Sequence, residues 1–223
     1  MERKKPERLI TTGDKIVMML SGIIFPAGAL WYYLGWFQTL RDWSAGPILM
    51  SIGLYGVIRL AKESPKPITL FIILAGLGIT GLSAEIIGVQ TGLIFGEYAY
   101  SNLLGIRIGD VPVSIGMAWV MMGGFAYYLS NRLLSGNRIS PFFAALIATL
   151  FDVIMEPAAI KLQYWYWNSA QVPIQNYFAW FILTLVFTLT MHHQKVLSPN
   201  KSLPVISFLW WIQIVYFILI ILV

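Results

Sequence analysis

The chain alternates between long apolar stretches and short polar segments. The first stretch follows a basic N-terminal segment and extends to Leu40, too long for the apolar part of a cleaved signal peptide, so we expect an uncleaved helix. Six more stretches follow, at roughly 44–61, 67–90, 111–130, 141–161, 173–191 and 204–223. Each is close to the ~20 residues that an α-helix needs to span a bilayer. The pattern predicts an all-α integral membrane protein with seven transmembrane helices in a single membrane domain, residues 1–223.

Composition and charge agree with this pattern, and the charge distribution also predicts how the chain is oriented in the membrane. The chain is 58% hydrophobic and 11% charged, which leaves too few charges to cover a soluble globule. If the helices alternate in direction, twelve of the fifteen Lys and Arg residues fall on one side and only Arg41, Arg107 and Lys161 on the other. The positive-inside rule then predicts a multi-pass protein of the cell membrane with a cytoplasmic N-terminus and an external C-terminus. It also explains the net charge of +5 without a nucleic-acid partner.

Few residues are suited to holding a metal or a cofactor. The chain has no cysteine, and its two histidines are the neighbours His192 and His193, so we expect no metal site and no thiol chemistry. The glycines Gly76, Gly78 and Gly81 have the spacing of a dinucleotide-binding loop. No strand precedes them and they lie in the middle of a membrane helix, so we expect them to let a neighbouring helix approach closely.

Two segments resemble each other and predict an internal repeat. The segment from Val111 to Trp119 reads VPVSIGMAW and that from Val172 to Trp180 reads VPIQNYFAW, with valine, proline, alanine and tryptophan at matching positions. Each begins a helix on the outer side, where proline is tolerated in the first turn. The sequence therefore predicts that helices three and four form one unit of a parallel repeat and helices five and six the other. The units are approximately 67–130 and 141–191, with a binding site between them.

Acidic residues converge on the outer half of the predicted bundle. Asp152 and Glu156 are one helical turn apart in the fifth helix, and an acid inside a membrane is by default a functional-site hypothesis. Glu85 takes the place of Glu156 in the first repeat unit, and both lie ~7 Å below the outer boundary. Asp110 and Asn176 begin the fourth and sixth helices on the same side. The inner half shows little unusual polarity.

This constellation indicates acid chemistry. Carboxyl groups so close in a low-dielectric site cannot all ionise, so at least one should keep its proton, and a neutral carboxylic acid is a competent proton donor. Aromatic side chains surround the acids, where they either form an interfacial belt or stabilise a cation through their π-faces. The candidates for substrate binding are Tyr98, Tyr100, Trp119, Trp165, Trp167 and Trp180.

Four blocks carry a resemblance to a known family. They are Ala84–Tyr100 (AEIIGVQTGLIFGEYAY), Gly109–Trp119 (GDVPVSIGMAW), Phe151–Trp167 (FDVIMEPAAIKLQYWYW) and Val172–Phe181 (VPIQNYFAWF). They resemble the integral-membrane carotenoid biosynthesis family that includes the CruF-type carotenoid hydratases and bisanhydrobacterioruberin hydratase. The resemblance implies that water is added to the terminal double bond of an acyclic carotenoid, giving a tertiary alcohol. It implies a carotenoid substrate in the lipid bilayer and no cofactor.

The small membrane lycopene cyclases are also similar, but they carry two adjacent glutamates where this chain has Gln175 and Asn176. This departure favours a hydratase over a cyclase. Both reactions begin with protonation of an alkene, for which Glu156 or Asp152 is our candidate donor. Glu85 would hold the water, with Asn176 and Asp110 in support. The alternatives are a cyclase and a non-catalytic carotenoid-binding or transport protein.

Overall fold

The structure is a computed structural model that describes residues 7–169 and 171–223. The described ranges contain seven helices that are long and apolar enough to cross a membrane, which confirms the predicted all-α membrane fold. The helices are α1 (Thr12–Leu34), α2 (Gln38–Glu63), α3 (Pro67–Thr91), α4 (Val113–Leu133), α5 (Ser140–Lys161), α6 (Ile174–Gln194) and α7 (Pro204–Leu222). Short strands connect them: β1 (Glu7–Arg8), β2 (Tyr98–Tyr100), β3 (Arg107–Ile108), β4 (Val111–Pro112), β5 (Trp165–Trp167) and β6 (Lys201–Ser202).

The first two helices meet earlier than the sequence predicts. α1 ends at Leu34 rather than at Leu40, because Gly35 adopts the left-handed conformation that terminates a helix, with a φ of 67°. α2 then begins at Gln38, ahead of the predicted start at residue 44. The predicted boundary was wrong because Trp36 and Phe37 keep the turn as apolar as the helices on either side.

Helix α4 is the most buried of the seven helices and lies in the middle of the molecule. α4 packs on α2, α3 and α5, while α5 also packs on α6. At Gly78, an added Cβ would lie 2.7 Å from Val120, and at Gly81 it would overlap the ring of Trp119. These two glycines therefore let α4 approach α3, as the sequence predicts. α1 lies outside this group and packs chiefly on α7.

We call the upper end of the bundle the one that carries the α1–α2, α3–α4 and α5–α6 connections. Here β2 and β5 pair antiparallel, with Tyr98 opposite Trp167 and Tyr100 opposite Trp165. The pairing joins two loops that are far apart in the sequence and places their aromatic side chains above the helices. The upper end is the side that the basic residues predict to be external.

The lower end holds buried charges that the sequence analysis did not predict. Asp14 Oδ1 accepts hydrogen bonds from Arg59 Nε and from the Tyr55 hydroxyl, both at 2.8 Å, and Asp14 and Arg59 are buried. Nearby, Lys201 Nζ lies 2.9 Å from Glu63 Oε2. The sequence alone placed the unusual polarity in the upper half because it could not show that α1 brings Asp14 against α2. The Asp14 contacts fasten the lower ends of α1 and α2 to each other, and the Lys201–Glu63 pair joins β6 to α2.

Candidate active site

Three buried carboxyl groups face one cavity near the upper end. Helix α5 presents Asp152 and Glu156 on the same face, one turn apart, and α3 contributes Glu85. All three side chains are buried and are enclosed by the paired strands β2 and β5 and by α4 and α6. The structure thus brings together the three acids that the sequence singled out. Their hydrogen-bond partners differ, so the three acids are suited to different chemical roles.

Glu85 accepts hydrogen bonds from three side chains. The hydroxyls of Tyr98 and Tyr100 donate to Oε2 at 2.5 and 2.9 Å, and Trp119 Nε1 donates to Oε1 at 3.1 Å. Burial, followed by the charge of Glu85, raises the pKa of both tyrosines well above its usual range, so their hydroxyls stay protonated and donate. Three donors thus converge on one carboxyl group, and a carboxylate, which only accepts hydrogen bonds, can accept all three.

Only one of the two carboxyl oxygens of Glu156 has close hydrogen-bond partners. The indole N–H groups of Trp165 and Trp167 both donate to its Oε2 at 2.9 Å. Its Oε1 has one long contact, 3.5 Å from Asn176 Nδ2. Oε1 is therefore a carboxyl oxygen that is still able to accept a proton or a hydrogen bond from a small molecule in the cavity.

Asp152 has the fewest partners of the three acids. Asn176 Nδ2 donates to its Oδ2 at 2.8 Å, while its Oδ1 is buried without a hydrogen-bond partner among the described residues. A buried oxygen in this position carries a desolvation cost unless it is protonated or meets a ligand. Asn176 therefore lies between the two acids of α5 and contacts both, whereas the sequence analysis expected it to support Glu85 in holding the water.

A stacked tryptophan pair supports the acids from below the strands. The rings of Trp119 and Trp180 are 3.8 Å apart and within 12° of parallel. Trp119 is fully buried and donates to Glu85, and Trp180 lines the cavity. Because a side chain at Gly81 would overlap the Trp119 ring, that glycine in α3 makes room for the stack.

The cavity has a volume of about 170 Å³ and a largely apolar wall. Nine of the eleven predicted site residues line it: Glu85, Tyr98, Tyr100, Asp152, Glu156, Trp165, Trp167, Asn176 and Trp180. Trp119 lies behind Trp180. Asp110 is exposed in the β3–β4 turn, with a φ of 65°, and does not line the cavity. Gln175 also lies apart, because its Nε2 donates to the carbonyl of Gly92 at 3.2 Å on the exposed surface.

Several residues of the cavity wall were not among the sequence candidates. Gln213 of α7 is buried and lines the cavity, and its Nε2 donates to the Leu209 carbonyl at 2.7 Å. Its signal in the sequence was a single amide in an otherwise apolar helix. Helices α1 and α2 contribute aliphatic and aromatic side chains that no pattern in the sequence connects with the acids. Within the described ranges, no group of three His, Cys, Asp or Glu side chains has metal-binding geometry.

The arrangement combines the elements of acid-catalysed chemistry on an apolar molecule. Asp152 Oδ1, which has no partner among the described residues, can carry a proton. Glu156 Oε1 has only one long contact, and Glu85 is fixed as an acceptor by three donors. Aromatic faces and an apolar wall exclude bulk water around them. Such a site can protonate a carbon–carbon double bond and stabilise the cation that forms.

Comparisons with known proteins relate this chain to a described family. The bisanhydrobacterioruberin hydratase of Haloarcula japonica is 33% identical over 122 residues, and the match covers 48% of this chain and 41% of the relative. The chain thus spans less than half the length of that curated relative. No solved structure matches. The sequence model of the family described as "Carotenoid biosynthesis protein" matches residues 46–223, which is most of the chain and includes all eleven predicted site residues. In agreement with the resemblance of the four sequence blocks, this chain belongs to the carotenoid biosynthesis protein family.

Proposed function

We propose that this protein is a carotenoid hydratase. It adds water to the terminal isopropylidene double bond of an acyclic carotenoid end group and produces a tertiary alcohol. The observation that carries the proposal is the buried Oδ1 of Asp152, which has no hydrogen-bond partner among the described residues and lies in the wall of an apolar cavity that also holds two glutamates. The name of the relative and the family membership favour the same reaction.

Asp152 is the proton donor in this proposal. Its Oδ1 carries the proton, which passes to the less substituted carbon of the double bond, so that the π electrons form the new C–H bond. The more substituted carbon becomes a tertiary cation and Asp152 becomes a carboxylate. The ionised Glu85 and the face of Trp180 then stabilise the positive charge in a site with a low dielectric constant.

Glu156 is the proposed base. A water molecule forms a C–O bond to the cation and loses a proton to Oε1 of Glu156, the carboxyl oxygen with only one long contact. The proton then returns from Glu156 to Asp152, one turn away on α5, and the site is restored. The sequence analysis assigned the water to Glu85, but the three donors on Glu85 favour a fixed charge there instead.

The choice between hydration and cyclisation depends on what reaches the cation first. In a cyclase the polyene folds back and its π electrons close a ring, and no water is added. Here an amide, Asn176, occupies the position at which the similar cyclases carry a glutamate, and it holds both acids of α5 in place. We infer that this keeps Glu156 directed at water and therefore favours the alcohol.

The test is conversion of an acyclic carotene by the purified full-length chain in lipid vesicles, without added cofactor, in water labelled with oxygen-18. We expect a hydroxy-carotenoid that carries the label, detected by mass spectrometry. A ring-containing hydrocarbon would reject hydration in favour of cyclisation. A hydroxy-carotenoid without the label would indicate hydroxylation by molecular oxygen, and unchanged carotene that copurifies with the chain would indicate binding alone.

A further inference from the structure

The cavity extends from the acids to the seam between α1 and α2. Its wall there is made of Phe25 and Gly28 from α1 and of Ile48 and Leu49 from α2. Ile24 also lines the cavity, yet 42% of its surface is exposed. Because Ile24 faces both the cavity and the outside of the bundle, the cavity reaches the lipid-facing surface at this seam.

The other side of α1 is closed. The rings of Phe25 and Tyr216 meet edge to face with their centres 5.4 Å apart, and Ala29 is buried with Ile220 in a small apolar cluster between α1 and α7. Facing α2, by contrast, α1 makes few contacts. A long apolar molecule in the cavity therefore has a path between α1 and α2 but none between α1 and α7.

Polar contacts frame this seam above and below. At the upper end the guanidinium of Arg41 lies over the ring of Tyr32, 5.1 Å from its centre. At the lower end Asp14 of α1 bonds to Tyr55 and Arg59 of α2. Two helices that are fastened at both ends and separated in the middle leave a lateral window, which we define by Ile24 on α1 and by Ile48 and Leu49 on α2.

The size of the cavity shows why a window matters. Pockets that enclose drug-sized ligands measure roughly 300–1,000 Å³, whereas this cavity is about 170 Å³. It can take the end group of a carotenoid but not the whole molecule. Building on the proposed function, we propose that the conjugated polyene of the substrate lies in the lateral window, with its end group at the acids and its remaining length in the bilayer. The residues of the window thereby select long, linear, apolar substrates.

The test is to narrow the window and compare substrates of different length. Ile24→Trp and Ile48→Trp place an indole in the window, while Ile23→Trp is a matched control because Ile23 is 61% exposed and does not line the cavity. Each variant is assayed in vesicles with a full-length acyclic carotene and with a short acyclic terpene hydrocarbon that has the same isopropylidene end. We expect both window variants to convert the carotene at least about tenfold more slowly and the short hydrocarbon within about twofold of the unmodified chain. Equal losses on both substrates, or no loss on the carotene, would overturn the proposal.

A binding measurement tests whether the carotene occupies the window, independently of whether it reacts. The chain has no cysteine, so Ile48→Cys and Ile23→Cys each introduce a single thiol. We expect the carotene to slow labelling of the Ile48→Cys variant by a membrane-permeant maleimide at least about fivefold, and to leave the Ile23→Cys variant unchanged. Protection without any alcohol product would support the window and reject the hydratase. Alcohol production without protection would reject the window alone.

Discussion

At the scale of single residues, the three acids differ in what surrounds each oxygen atom. Glu85 accepts three hydrogen bonds, Glu156 accepts two strong ones on a single oxygen, and Asp152 has one oxygen with no partner among the described residues. A carboxyl group that is already fully hydrogen-bonded as an acceptor makes a poor acid. The contacts therefore distinguish roles that the sequence left open between Glu156 and Asp152.

The first prediction concerns the proton donor. Asp152→Asn keeps the size of the side chain and its neighbour Asn176 but removes the acidic proton. We expect turnover of an acyclic carotene to fall by at least about 100-fold, the low end of contributions from general acid catalysis, while the protein accumulates normally in the membrane. Asp110→Asn is the matched control, since Asp110 is exposed and outside the cavity. Normal turnover in Asp152→Asn would refute the assignment.

The second prediction concerns Asn176, whose amide donates to Asp152 and lies near Glu156. Asn176→Leu removes this donor and leaves Asp152 with no polar partner among the described residues. Because a buried polar group without a partner is costly, we expect the acids to shift and hydration to fall by about 10- to 100-fold. The carotene should still copurify with the variant, because the apolar wall is intact. Loss of carotene binding together with hydration would show instead that Asn176 shapes the cavity.

At the scale of helices and strands, the site depends on how closely two elements approach. Gly81 on α3 faces the Trp119 ring on α4, and that ring both bonds to Glu85 and stacks on Trp180. One missing side chain on α3 thus determines the position of two tryptophans and one acid. The spacing of Gly76, Gly78 and Gly81 in the sequence indicated close packing of α3 against another helix. It could not indicate that the side chain packed against Gly81 would be Trp119, a residue of the site.

The third prediction tests this packing with two alanines. At Gly81 a new Cβ would overlap the indole of Trp119, whereas at Gly76 it would lie 3.4 Å from Phe187, an ordinary contact. We expect Gly81→Ala to lower the free energy of unfolding by about 1–3 kcal/mol, the usual cost of overpacking, and to lower turnover as Trp119 moves from Glu85. Gly76→Ala should match the unmodified chain in thermal unfolding and in turnover. Equal behaviour of the two variants would show that α3 and α4 adjust without loss.

Much of the fold could be predicted from hydropathy alone, because each helix is a continuous apolar stretch bounded by charges or prolines. The end of α1 could not, since Trp36 and Phe37 are as apolar as a helix and only Gly35 marks the turn. Most of the site could also be predicted, because acids are rare in membrane helices. Gln213 and the window residues could not, since their relation to the acids arises only from the packing of α1, α2 and α7 around the cavity.

At the scale of the whole molecule, we propose that the two helix pairs α3–α4 and α5–α6 are a parallel repeat. The antiparallel pairing of β2 with β5 and the stacking of Trp119 on Trp180 support this proposal, since each joins corresponding positions of the two units. The units differ where the chemistry is proposed. Asp152 and Asn176 in the second unit correspond to Gly81 and Ile115 in the first. The first unit would then hold a fixed charge and the second would transfer protons.

The fourth prediction concerns orientation in the membrane. With alternating helices, the sequence assigns twelve basic residues to one side of the membrane and three to the other, which favours a cytoplasmic lower end. A reporter that is active only in the cytoplasm should therefore be silent when it is fused after Val223, and one that is active only outside should be active there. The same reporters fused in the α6–α7 connection, after Asn200, should give the opposite results and serve as the control. A cytoplasmic signal after Val223 would place the acids on the cytoplasmic side.

The stacked rings of Trp119 and Trp180 also have an optical consequence. Two nearly parallel indoles with centres 3.8 Å apart share their electronic excitation, so the pair should give a paired signal in the circular dichroism of the indole absorption bands. Trp180 lines the cavity, and an end group that arrives beside it should alter that signal. The site would thus contain its own spectroscopic probe, and occupation by a colourless terpene could be followed without any label or chemical turnover.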